Sequence, residues 1–110
     1  MKASDILGLK DLRTKVVDVP AWDCKLTIRE LGLGDGLSLF ALATSEDGKE
    51  IMDAEAIAQV VAWGVIDPDT GKRLFSDADV PALLEKSQKA LLDLYKEIVN
   101  LSGGAETKNS

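Results

Sequence analysis

Histidine is absent from this 110-residue chain. Ser-His-Asp and Cys-His nucleophile systems and histidine-ligated metals are therefore excluded, because each needs an imidazole to move a proton or donate a lone pair. Cysteine occurs once, at Cys24, so no internal disulfide can form and no zinc site can be assembled from Cys and His. That usage fits a reducing cytoplasm. Asp23 works against a thiolate at its neighbour, and Cys24 reads as a small, partly buried side chain. Long apolar runs are also missing; none approaches the roughly 20 residues that cross a bilayer. Charges at Asp5, Lys10 and Asp11 interrupt the N-terminal segment, so no secretion signal is expected. Positive charge is scarce: 13 basic against 19 acidic residues give a net charge of −6, and only Lys72 and Arg73 are adjacent. Nucleic-acid binding depends on neutralising phosphates and is disfavoured. Neither nucleic acid nor membrane is expected as a partner, and a protein is the default.

What is present describes an ordinary globular chain, 45% hydrophobic and 29% charged, of a length that suits one domain. The pattern predicts an α+β fold, predominantly helical with an early β-hairpin. Residues 1–104 form one domain and 105–110 a flexible polar tail in this reading. A short first helix capped by Ser4 takes its apolar contacts from Ile6, Leu7, Leu9 and Leu12. Leu26 and Ile28 alternate with Lys25, Thr27 and Arg29, the period of a half-buried strand. With 15–20 before it, this makes a hairpin in which Pro20 sits at a strand end or edge. Leu31-Gly32-Leu33-Gly34-Asp35-Gly36 lacks the Gly-Lys-Ser/Thr of a phosphate loop. It reads as a joint, with Asp35 capping a helix that carries Leu37, Phe40, Ala41 and Thr44 on one face and stops near Gly48. Asp53 caps the next helix, from Ala54 to about Gly64, burying Ile57, Val60, Val61 and Trp63. One or two C-terminal helices follow. Leu91, Leu94, Tyr95, Ile98 and Leu101 lie on one helical stripe that ends at Gly103-Gly104. Trp22 and Trp63 read as core anchors.

Four aspartates and a glycine crowd the stretch VIDPDTGKRLFSDADV, residues 65–80. A calcium loop of the EF-hand type starting at Asp67 has Asp69 at its third position, but then needs an oxygen ligand at Gly71, a glycine at Lys72 and a carboxylate at Ala78. The pattern fails at all three. A turn accounts for more of the residues: Pro68 fixes φ at a central position, and Gly71 takes positive φ where the chain leaves. Val65-Ile66 and Arg73-Leu74-Phe75 can then pair as a second short hairpin, around residues 65–75. Ser76 and Asp79 resemble a capping box, with Asp77 or Asp79 as alternative caps because Pro81 is tolerated only in a first helical turn. Asp67, Pro68, Gly71, Ser76 and Asp79 are thus assigned to turn and cap. Carboxylate-pair catalysis would need groups that meet in space, and nothing in the sequence argues for it. No catalytic, metal or cofactor residue is assigned, no cofactor is expected, and the chain does not read as an enzyme.

The order D-x-x-x-G-x-x-L-F-x-x-x-D-V, carried by Asp67, Gly71, Leu74, Phe75, Asp79 and Val80, continues to Leu84, Lys86-Ser87 and Ala90-Leu91. Upstream stand Val19-Pro20-Ala21-Trp22 and Ile28-Arg29-Glu30-Leu31, and the chain ends Lys108-Asn109-Ser110. Together these resemble the tail assembly chaperones of long-tailed bacteriophages of the siphophage type, over roughly residues 4–110. The Gly32–Gly36 joint departs from the more polar, helix-favouring segment expected of relatives, which puts the start of the following helix in question.

The resemblance implies a non-enzymatic protein of the infected host's cytoplasm that is not retained in the mature virion. Its implied partners are the tape measure protein, which it binds and solubilises, and the major tail tube protein, which it helps to recruit. A longer form of itself, made by a −1 ribosomal frameshift near Lys108-Asn109, and a homo-oligomer are implied too. The alternative is a structural tail completion or connector component. A chaperone for an apolar helical client needs exposed apolar surface offset by net charge. Leu37, Leu39 and Phe40, with Leu33 and Leu42, surround more than one face of their helix. Leu91, Leu92, Ile98 and Val99, with Leu94 and Leu101, exceed one stripe of theirs. Either these helices are buried on two sides, or a surplus face meets another copy or the client.

Overall fold

Alternation of apolar and polar residues over 24–29 builds a strand that buries one face, and this strand organises the fold. In the computed structural model, which describes residues 1–9, 12–43 and 53–103 (for 39–43 the backbone alone), β1 (Thr14–Val19) pairs antiparallel with β2 (Cys24–Arg29). The early hairpin expected from the pattern is thus present. Pro20–Trp22 form a single 3-10 turn between the strands, and Asp23 closes it in the left-handed region at φ 51°. The register sets Val17 opposite Leu26 and Lys15 opposite Ile28 on the core face. The other face carries Thr14, Val16 and Asp18 and stays exposed.

The helices are α1 (Ala3–Leu7), α2 (Leu33–Ala43), α3 (Ala54–Gly64), α4 (Val80–Leu83) and α5 (Gln88–Leu101). Asp53 starts α3: its carboxylate accepts the N–H of Glu55 at 3.0 Å. Ser87 starts α5 in the same way, its hydroxyl accepting from Ala90 N–H. β3 (Val65–Ile66) follows α3 directly and adds to β2, giving the sheet order β1-β2-β3. Val65-Ile66 was expected as a strand of a local hairpin, but its pairing with β2 was not foreseen, because that partner lies far away in sequence.

Two expectations fail at the N-terminal side. Ser4 does not cap α1; Lys2 occupies the cap position and its N–H donates to Asp5 Oδ2 at 2.9 Å. Ile6, Leu7, Leu9 and Leu12 are all exposed rather than packed, since a five-residue helix has no stripe long enough to bury. The glycine joint also behaves differently. α2 begins at Leu33 and runs through Gly34 and Gly36, with Gly36 N–H donating to the Gly32 carbonyl at 2.9 Å. Asp35 therefore lies within the first turn, where its charge favours the positive helix end, and is not the cap. The expected stop near Gly48, Thr44, Gly104 and the tail 105–110 lie outside the described residues, as do the side chains of Leu39, Phe40, Ala41 and Leu42.

The core forms where α3 and α5 cover the inner face of the sheet. Ile28, Val60, Val61, Val65, Leu94 and Ile98 are fully buried, each contributing about 1.5–3 kcal/mol of apolar transfer. Trp22, Trp63, Tyr95 and Leu101 pack partly buried against them. The C-terminal end of α5 is fastened to the hairpin by polar bonds. Leu31 N–H donates to Ser102 Oγ at 2.8 Å, Arg13 donates to the Leu101 carbonyl, and Lys15 pairs with Glu97 at 2.9 Å.

At the crossing of α3 and α5 the helices touch at Gly64. A Cβ there would lie 2.5 Å from Ile98 Cδ1, 2.8 Å from Cγ1 and 2.9 Å from Cγ2. Because Ile98 is β-branched and fully buried, it cannot swing away. Gly64→Ala is expected to cost about 1–3 kcal/mol by overpacking. Ile98→Ala alone should cost about 2–5 kcal/mol. In that background Gly64→Ala should cost much less, and additive costs in urea unfolding would refute the contact. The opposite sign is expected at Gly34 and Gly36, around which the structure leaves open space. Alanine at either should stabilise the protein by about 0.5–1 kcal/mol in the same assay.

Candidate protein-interaction surface

The acidic stretch resolves into local structure. Asp67 Oδ1 accepts the N–H of Asp69 at 2.9 Å, and the Asp67 carbonyl accepts from Gly71 at 2.7 Å. Gly71 has φ 73°, and Pro68 lies at the exposed tip of the turn. Ile66 then bridges to Arg73 and Leu74 N–H donates to the Val65 carbonyl, so the chain returns beside β3. At the end of the stretch Ser76 N–H donates to Asp79 Oδ2 at 2.8 Å, ahead of a 3-10 turn (Asp77–Asp79) that runs into α4. Pro81 falls in the first turn of α4, where its missing N–H costs nothing. Among the described residues no three acidic or cysteine side chains converge as a metal would require.

Arg73, read from the sequence only as part of a basic pair and a short strand, bolts this segment down. Its Nε donates to the Ala62 carbonyl at 3.1 Å and its terminal nitrogen to Asp77 Oδ1 at 2.6 Å. Gln59 donates to the same Asp77 oxygen at 3.0 Å. The Arg73 hydrogen bond, with help from Gln59 and the guanidinium charge, holds the Asp77 carboxyl below its usual value.

The apolar candidates separate into three groups. Leu91 and Ile98 are corrected: they face α3 and the sheet and are buried at 7% and 0% exposure, so neither can meet a partner. The alanines of α3 explain this, for Ala58 and Ala62 let α5 approach closely enough to bury more than one stripe. Leu92 and Val99 flank that buried stripe and are half-buried. Leu37 is 62% exposed, and one turn before it Leu33 is 81% exposed. These two leucines stand on one face of α2, and that face has no described partner. Leu37, Leu33 and Val99 line one groove of about 320 Å³ between α2 and α5, floored by Gly36 and Leu31. Leu92 lies elsewhere, in a shallow groove with Leu84, Ile57 and Ala54. The structure thus brings Leu37 and Val99 together and leaves Leu92 apart.

No family model matches the chain, and no curated protein does. Among solved structures, that of the bacteriophage HK97 tail assembly chaperone superposes with a TM-score of 0.64. The chain has the fold of a phage tail assembly chaperone. The likeness covers 89% of this chain and 90% of the HK97 chaperone, at 20% sequence identity. It therefore concerns the whole arrangement of sheet and helices rather than one motif. The Arg73–Asp77 pair has an electrostatic consequence for stability. A carboxyl held low when folded stabilises the protein above its unfolded pKa of about 3.9. That contribution is lost as pH falls through the lower folded value. Asp77→Asn should therefore lower the urea midpoint at pH 7, and the difference from wild type should shrink toward pH 3. A difference that is constant with pH would contradict the pairing.

Proposed function

We propose that the chain is a tail assembly chaperone that binds the tape measure protein, keeps it soluble and helps to recruit tail tube subunits. It works without catalysis or cofactor, by reversible apolar association, in the host cytoplasm during infection, and it leaves before the virion is complete. The observation that carries the reading is the whole-chain likeness to the HK97 chaperone. The open leucine face of α2 supports it, for exposed Leu33 and Leu37 offer an apolar helical client a surface to pack on. A net charge of −6 keeps a protein with such a surface dispersed when it is free. A homo-oligomer and a frameshift-extended form belong to the same proposal. The second would show in the gene as a slippery heptamer in its last codons, with an overlapping −1 frame.

Leu33→Asp and Leu37→Asp test the surface without touching the core. Each should unfold at the wild-type urea midpoint within about 0.5 kcal/mol, because both side chains are already in water. When co-expressed with the tape measure protein, each should leave a several-fold smaller fraction of it soluble, since a charge is desolvated on docking. Variants that fold and still keep the client fully soluble would refute the role assigned to this face.

A further inference from the structure

β1 is an open edge of the sheet. On the far side, the outward groups of β3 are taken: Leu74 N–H donates to the Val65 carbonyl and Asp67 N–H to the Lys72 carbonyl. On the near side, Glu30 N–H donates to the Arg13 carbonyl, which fixes Lys15, Val17 and Val19 as the β1 residues bonded to β2. Thr14, Val16 and Asp18 consequently turn their N–H and C=O groups away from the sheet. Among the described residues none of these groups has a partner.

Beside this edge, on the core side, runs a trough of about 360 Å³ between β1 and α5. Val17, Val19, Ala90 and Leu94 line its apolar part, with Pro20 and Ala21 at one end. Lys89 and Asp93, paired at 3.2 Å, line its polar part, and Asp18 borders it with its side chain on the outer face of β1. The charge left over is negative, on a chain of net charge −6.

We propose that β1 accepts an added strand: an extended segment of another protein, apolar at alternate positions and carrying Lys or Arg. The free main-chain groups dictate a partner in β conformation, the trough dictates apolar side chains on its inner face, and Asp18 with the net charge favours a basic one. A second copy of this chain does not fit. It carries the same net charge of −6 and so lacks the complementary charge. This surface is distinct from the α2 groove and does not depend on it.

The test uses the full-length chain and a soluble decapeptide alternating valine with lysine and threonine, followed by amide NMR and hydrogen exchange. Binding should shift and protect the amides of Val16 and Asp18 and leave those of Leu33, Leu37 and Val99 unmoved. N-methylation of the peptide at alternate residues in the bonding register should weaken it about tenfold or more, which needs no change to the protein. Val16→Pro should do the same, because that N–H is not part of the β1–β2 ladder. Raised salt should also weaken binding. No binding at millimolar peptide, full affinity of the N-methylated peptide, or shifts confined to the α2 groove would overturn the proposal. So would concentration-dependent protection of Val16 and Asp18 without peptide, which would assign the edge to a second copy.

Discussion

The approach of α3 to α5 at Gly64 is the constraint on which the remaining structure depends. Only a residue without a side chain lets the backbone of α3 rest on Ile98, and that contact sets how deeply α5 is drawn toward the sheet. Once α5 lies there, its C-terminal end reaches the hairpin, where Ser102, Leu101 and Glu97 take bonds from Leu31, Arg13 and Lys15. Gly64 is also the last residue of α3, so β3 begins from the same place and is delivered straight onto β2. Packing of two helices thus fixes both the third strand and the trough beside β1.

Much of this frame could be read from local pattern. The β1–β2 hairpin shows as alternation, α3 as an Asp53 cap followed by an apolar run, and α5 as a stripe from Leu91 to Leu101. These signals are local because strand period and helix capping act within a few residues. What escaped reading depends on distant partners. Val65-Ile66 could be read as a strand of a local hairpin, but not as the partner of β2, which lies far away in sequence. Arg73 matters only because the Ala62 carbonyl and Asp77 come within its reach. The glycines around Leu33 suggested a break, yet none of the three adopts a positive φ and α2 runs through Gly34 and Gly36.

The candidate surface was only half legible for a related reason. A sequence shows how many apolar residues a helix carries, but not how many faces its neighbours will cover. α5 spends its surplus on the alanine-rich α3, so Leu91 and Ile98 became core. The first turns of α2 leave Leu33 and Leu37 in water. An apolar face left open on a fold shared with the HK97 chaperone is the physical basis of the functional reading. In the proposed function, interaction rests on burying leucine surface, and the net negative charge limits indiscriminate association.

The central claim, a chaperone that holds the tape measure protein during assembly and then departs, is tested most directly by quantitative mass spectrometry of two preparations. One is the tape measure complex isolated from infected cells arrested before tube polymerisation, and the other is the purified virion. Peptides of this chain should accompany the tape measure protein in abundance in the first and be absent from the second. Stoichiometric peptides in the virion, or none with the tape measure protein, would contradict the account.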